Sequence, residues 1–190
     1  MNFLYIFLFY ISYLNMYHLL DKYEKEGFYK KLISLYKNCF DYIKVFKGNY
    51  SDEIFIENGN KLLKALDENI VLGIYECPLP YKRLLTPKII EWMKNTNRFV
   101  FIKDTCCNIE TISNRLEQLK DSNIMLFNAN GQTLYDSILK GAAGYSGIMA
   151  NFICKDIVWM INNIDDKDAE IYGKTFAFYS FIENKAYPST

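Results

Sequence analysis

The side chains with the clearest potential for chemistry are Lys103 and Tyr75. Lys103 closes the apolar run FVFIK at 99–103, and Tyr75 closes IVLGIY at 70–75. A lysine ordinarily stays in solvent, because burying an ammonium is costly. Held at the end of an apolar strand, its pKa falls and the free amine becomes a nucleophile for a carbonyl. The competing reading is a strand-end lysine paired with Asp104 or a neighbouring carboxylate. Tyr75 likewise reads either as packing with its hydroxyl bonded to the backbone, or as a proton shuttle beside the lysine. A phenol with a pKa of about 10 is too weakly acidic for a free base, so that second role needs a cationic neighbour or a relay of hydroxyls. Two further runs end at Asn128 and in Tyr145-Ser146-Gly147.

Other chemistries have less support. Five cysteines, Cys39, Cys77, Cys106, Cys107 and Cys154, form no CxxC pair, and His18 is the single histidine. A zinc site or a Cys-His dyad is therefore hard to assemble, and free thiols in a reducing, cytoplasmic setting are expected. Glu76, Asp104 and Glu110 suggest paired carboxylates, but their spacing sets neither angle nor distance. Lys plus Arg and Asp plus Glu each number 22, so the net charge is zero. No basic field is present to collect a nucleic-acid backbone, and self-association stays open.

The elements that must position these groups alternate. Apolar runs at 41–46, 70–75, 99–103, 124–127 and 142–148 read as strands. Between and after them, 51–68, a segment starting at Thr86-Pro87 and reaching about residue 95, 109–120, 132–140, 151–164 and 166–184 read as helices, preceded by another at 22–38. Ser51 is an N-cap, with Asp52 and Glu53 in the first turn, and Thr86-Pro87 is a cap followed by a first-turn proline. Phe55, Leu62, Leu63 and Leu66, then Ile89, Ile90 and Met93, then Ile112, Leu116 and Leu119, supply inward faces. This is a βα unit repeated about five times with fully apolar strands, an α/β chain built on a parallel sheet. No glycine-rich phosphate loop follows any strand; Asn130-Gly131 alone is no nucleotide fingerprint. Periodicity leaves a barrel and a doubly wound sheet both open, and in either the reactive groups gather at the carboxyl ends of the strands.

Residues 1–20, MNFLYIFLFYISYLNMYHLL, carry no charge and approach the length of a bilayer-spanning helix. Ser12, Asn15 and His18 dilute the run. A basic leader and a small-residue cleavage site are both missing. Membrane contact, a core helix, or a start that is not the natural start of the domain are the three readings.

The strings ENGNKLLKALDENIVLGIYECPLPYKRLLTP, FVFIKDTCCNIETI and LFNANGQTLYDSILKGAAGYSGIMANF resemble the dihydrodipicolinate synthase/N-acetylneuraminate lyase family, over about residues 41–164. A tyrosine closing one strand and a lysine closing the next, 28 residues later, is the family pattern met by Tyr75 and Lys103. The resemblance implies a partial (β/α)₈ barrel in which the C-terminal units are retained. It divides the chain into an atypical apolar segment at 1–20, a partial aldolase-type barrel at 21–164 and a truncated helical region at 165–190. It implies that Lys103 forms an imine with pyruvate or another 2-oxo acid. Tyr75 would move protons during carbon–carbon bond formation or cleavage, with an aldehyde as possible second substrate and without metal or dissociable cofactor. Asn128 or Ala129 would line the pocket, Ser146 would hold the keto acid, and Tyr50 lies near the place of a third tyrosine that a neighbouring subunit often lends. Members are often tetramers, so a homo-oligomer is expected if a complete barrel forms.

The departures from the family are specific. The early segment ending in Thr-Thr-Gly-Glu or similar, which binds the keto-acid carboxylate, has no counterpart. Pro80 stands near the place of a substrate-binding arginine, with Lys82 and Arg83 close by. Two functional expectations follow: an imine-forming lyase, or an inactive truncated relative, partner-dependent subunit or interaction module.

Overall fold

The structure, a computed structural model, describes residues 50–69, 71–77 and 82–186. The readings made for 1–20, 22–38 and 41–46, and those for His18, Cys39 and Pro80, lie outside these residues.

Helix α1, Asp52–Ala65, starts where Ser51 accepts a bond from the Ile54 amide. It buries Phe55 and Leu62, while Leu63 is only partly covered. Strand β1, Leu72–Tyr75, leads to α2, Pro87–Thr96. Thr86 caps α2, Pro87 occupies its first turn, and Asn97 ends it in the left-handed conformation. Strand β2, Phe99–Asp104, is followed by α3, Ile109–Gln118, capped by Asn108. Strand β3, Met125–Asn128, runs into a 3₁₀ turn at Gly131–Thr133 and then α4, Leu134–Leu139. Strand β4 is short, Gly144–Tyr145; a second 3₁₀ turn, Ile148–Asn151, precedes α5, Cys154–Asn162, and α6, Ala169–Ala186.

The strands are parallel and lie side by side in chain order, β1-β2-β3-β4. A doubly wound sheet reverses its strand order at a switch point, and these four strands do not. Each step goes to the next neighbour, and right-handed crossovers in one direction put all the helices on one side. That is the arrangement of part of a (β/α)₈ barrel, which resolves the choice that periodicity left open. Four of the five expected units fall in the described residues.

Register defines two faces. Ile74, Ile102 and Leu126 pair across one row and meet the helices, where Ile89, Ile90, Met93 and Ile112 complete the main core. The alternate row, Tyr75, Lys103, Phe127 and Gly144, lies on the other face, which is the inside of a barrel. One step toward the amino ends, Gly73, Phe101 and Met125 share it; the Phe101 and Phe127 rings stack with centroids 5.0 Å apart. A second core of Leu134, Met149, Ile157, Met160, Ala169 and Phe176 binds α5 and α6 to the turn after β3.

Candidate active site

Lys103 and Tyr75 are register partners at the carboxyl ends of β2 and β1. The Lys103 Nζ sits over the Tyr75 ring, 4.2 Å from its centroid. The side chain is partly buried, and burial lowers the Lys103 pKa below the ordinary lysine value; the nearby Cys77 thiol pulls the other way. The aromatic ring attracts the ammonium electrostatically, so the amine has a resting place that is neither open water nor an ion pair. Asp104, the salt-bridge partner of the competing reading, belongs to the opposite face.

The residues directly following the pair form a second, wholly buried cluster. Glu76 and Asp104 converge on Arg115 from α3. Glu76 Oε1 accepts from Arg115 Nη2 at 2.6 Å and from the Leu85 amide at 2.6 Å. Its Oε2 accepts from the Thr105 amide at 3.0 Å and from Arg115 Nη1 at 3.1 Å. Arg115 Nη1 also donates to Asp104 Oδ2, and Nη2 donates to the Leu85 carbonyl at 2.9 Å. Burial alone would depress the Arg115 pKa, but Glu76 and Asp104 outweigh it and keep the guanidinium charged. The Thr105 hydroxyl donates to the Glu76 carbonyl at 2.6 Å, and the Glu76 amide donates to the Lys103 carbonyl at 3.2 Å, extending the β1–β2 ladder past Tyr75.

The other expected site residues separate by face. Asn128 is fully buried among the helices, where its amide donates to Thr133 at 2.9 Å and Ser137 at 3.1 Å and accepts from the Asn130 amide at 2.7 Å. It pairs with Asp104 in register and so faces away from Lys103. The Ala129 amide donates to the Asp104 carbonyl and the Ser146 amide to the Asn128 carbonyl, so both continue the ladder by one residue, and alternation returns them to the Lys103 face. Tyr50 is exposed ahead of α1, and its carbonyl accepts from Arg83. Arg83 is also paired with Asp52 at 2.6 Å, which ties the loop after β1 to α1. Cys77, Cys106, Cys107 and Cys154 take part in no disulfide. Among the described residues no group of three or more His, Cys, Asp or Glu is placed to hold a metal ion, and no helix is long and apolar enough to cross a membrane.

A tyrosine and a lysine meeting across adjacent parallel strands is the geometry that the sequence resemblance requires. The sequence model of the dihydrodipicolinate synthetase family matches residues 60–175, more than half of the chain. The chain belongs to the dihydrodipicolinate synthetase family.

Solved structures agree on the fold. The 2-keto 3-deoxygluconate aldolase of Picrophilus torridus aligns with a TM-score of 0.63 at 18% identity, over 74% of this chain and 50% of the aldolase. A prophage protein of E. coli K12 from the dihydrodipicolinic acid synthase family, solved in complex with pyruvate, gives 0.63 at 17% identity, over 72% of this chain and 47% of that one. The dihydrodipicolinate synthase of Bacteroides thetaiotaomicron gives 0.58 at 20% identity, over 75% and 46%. The chain thus spans about half the length of these members of the fold. Comparison with curated proteins returned no match.

In this family member, sequence reasoning passed over Arg115. The signal was present: Arg115 stands on the same helical stripe as Ile112 and Leu119, three residues after one and four before the other, so the period that buries them buries it.

Proposed function

We propose that this chain carries the imine-forming part of a lyase or aldolase site for a 2-oxo acid, with Lys103 as nucleophile and Tyr75 as the group that moves protons. The observation that carries this reading is the partly buried Lys103 amine over the Tyr75 ring at the carboxyl ends of neighbouring parallel strands. Family membership and the pyruvate complex of the E. coli relative support pyruvate as the first acid to test.

The free amine attacks the keto carbon to give a carbinolamine; a proton delivered to its hydroxyl lets one water leave, and a protonated imine results. That cation is an electron sink, so the neighbouring carbon gives up a proton, for which the Tyr75 oxygen is the relay, and an enamine results. The enamine carbon can then form a bond to an aldehyde carbon, whose oxygen takes a proton; water finally releases the product and regenerates the amine. Cleavage is the same sequence reversed. Ala129 and Ser146 are the candidate lining of the acid site, on the Lys103 face; Asn128 is better suited to holding the turn behind it.

Borohydride added to chain and pyruvate tests this directly. A reduced pyruvyl adduct is expected on the peptide containing Lys103, and Lys103→Met is expected to lose it. No adduct on the wild-type chain, under conditions that label an intact relative, overturns the reading for the chain by itself.

A second reading is favoured by the incomplete cover over the inner face, where Met125 is 43% exposed and Phe101 and Phe127 are only partly buried. On that reading the chain works as a subunit whose site is completed by another polypeptide. Trapping that appears only in a sized complex would distinguish it.

A further inference from the structure

Building on Lys103 and Tyr75 as the reacting pair, we propose that Arg115 is a positioning residue whose guanidinium, held between Glu76 and Asp104, locks the ends of β1 and β2 so that Tyr75 stays against the Lys103 amine.

The argument is one of alternation. Glu76 directly follows Tyr75, and Asp104 directly follows Lys103. Successive side chains on a strand point to opposite faces, so two residues that meet inside the sheet are followed by two that meet outside it. Here both followers are carboxylates, and one guanidinium holds both. A slip of β1 against β2 by one residue is a movement of about 3.3 Å. It would pull Glu76 away from Arg115, which Asp104 holds to the end of β2. The same carboxylate fixes the two loops that leave the strands, through the Leu85 and Thr105 amides.

Stability alone is a poor explanation for the cluster. A well-packed apolar trio of similar volume often matches or exceeds a buried ion triad in stability. What charge and directional bonds add is a single permitted register, and the register is what brings amine and phenol together. Arg115 touches neither substrate nor reacting atom; it acts through Glu76 and Asp104.

The test uses the full chain and the variant Arg115→Lys, which keeps the charge but loses the fork that spans two carboxylates. Reductive methylation with ¹³C-formaldehyde gives each lysine a dimethylamine resonance. The Lys103 signal, assigned by its loss in Lys103→Met, is expected to be displaced upfield by the Tyr75 ring and to move back in Tyr75→Leu. In Arg115→Lys it is expected to move back as well, while the remaining lysines and the circular dichroism spectrum stay as in wild type. With unmethylated protein, exchange of the pyruvate methyl protons, which needs Tyr75, should fall by up to about a hundredfold, the scale of a misplacement of about 1 Å. Borohydride trapping at Lys103 should fall far less. A purely structural role lowers both in proportion to the folded fraction.

If Arg115→Lys melts earlier but keeps the ring-shifted resonance, or if the wild-type signal is not ring-shifted, the proposal is wrong. Should Arg115→Lys fail to fold, Asp104→Asn, which leaves the Arg115–Glu76 pair, is read by the same two measurements. A ring shift that is lost in the variant, in a chain that never traps pyruvate, would sustain the positioning and refute the imine chemistry.

Discussion

Two side chains whose protonation the fold alters make opposite predictions. Burial lowers the Lys103 pKa, so the folded state binds this proton less tightly than the unfolded state. Holding the cation therefore costs stability below the folded pKa, and the cost fades as pH rises toward the ordinary value of 10.5. Lys103→Met should raise the melting temperature at neutral pH, with the gain shrinking as pH approaches that value. Reductive methylation of Lys103 should reach half its maximal rate at a pH below the ordinary lysine value. Cys106 behaves in the other sense: burial, aided by the neighbouring Asp104 carboxylate, pushes its pKa up to about 12. Alkylation near pH 8 followed by peptide mapping should therefore label the exposed Cys107 and Cys154 well before Cys106. At this scale the sequence was legible where a reactive residue ended an apolar run, as Lys103 and Tyr75 do. Asn128 ends one too, but alternation turns it to the helices, and residue type says nothing about which way an odd or even position faces. Arg115 was hidden by its charge: polarity argued for the surface while its place on the stripe argued for burial, and two carboxylates from other elements decided the matter.

Elements were readable when their ends carried local chemistry. Ser51 and the Thr86-Pro87 pair opened helices where expected, because a side-chain oxygen supplies the cap without help from the rest of the molecule. The expected strand at 142–148 is reduced to Gly144–Tyr145, although the Ala143 and Ser146 amides still bond to β3 on either side. The expected helix at 132–140 begins one residue early as a 3₁₀ turn, since Asn130 draws the Thr133 amide to its own side chain. Gly59 shows contact overruling propensity. An alanine there should favour α1 by about 1 kcal/mol. However, its Cβ would lie 2.4 Å from the Trp92 ring, which is packed by Phe55 and Phe99 and bonded to Asn60 at 2.9 Å. Overpacking costs about 1–3 kcal/mol. Gly59→Ala should therefore destabilise the chain in chemical denaturation, against the helix scale.

For the molecule as a whole, the buried Glu76–Arg115–Asp104 cluster is a liability as well as a lock. Arg115→Ala would leave two carboxylates buried without their partner, a loss of about 3–5 kcal/mol. Replacing all three residues by Gln, Leu and Asn should recover much of that in a denaturant titration, because the uncompensated charge goes with the partner. The overall architecture was accessible from alternating runs and short links; its handedness and order were not, because periodicity is the same in a barrel and in a doubly wound sheet. The junction at Gly131 adds a different kind of consequence. A Cβ at this position would lie 2.3 Å from Met149 and 2.8 Å from Ser180, so α6 rests directly on the backbone that follows β3. The four described strands and Arg115 all precede Ser180 in the chain. A chain cut near residue 165 would keep the four described strands and the ion cluster but leave the turn beside Asn128 without the helix that rests on it.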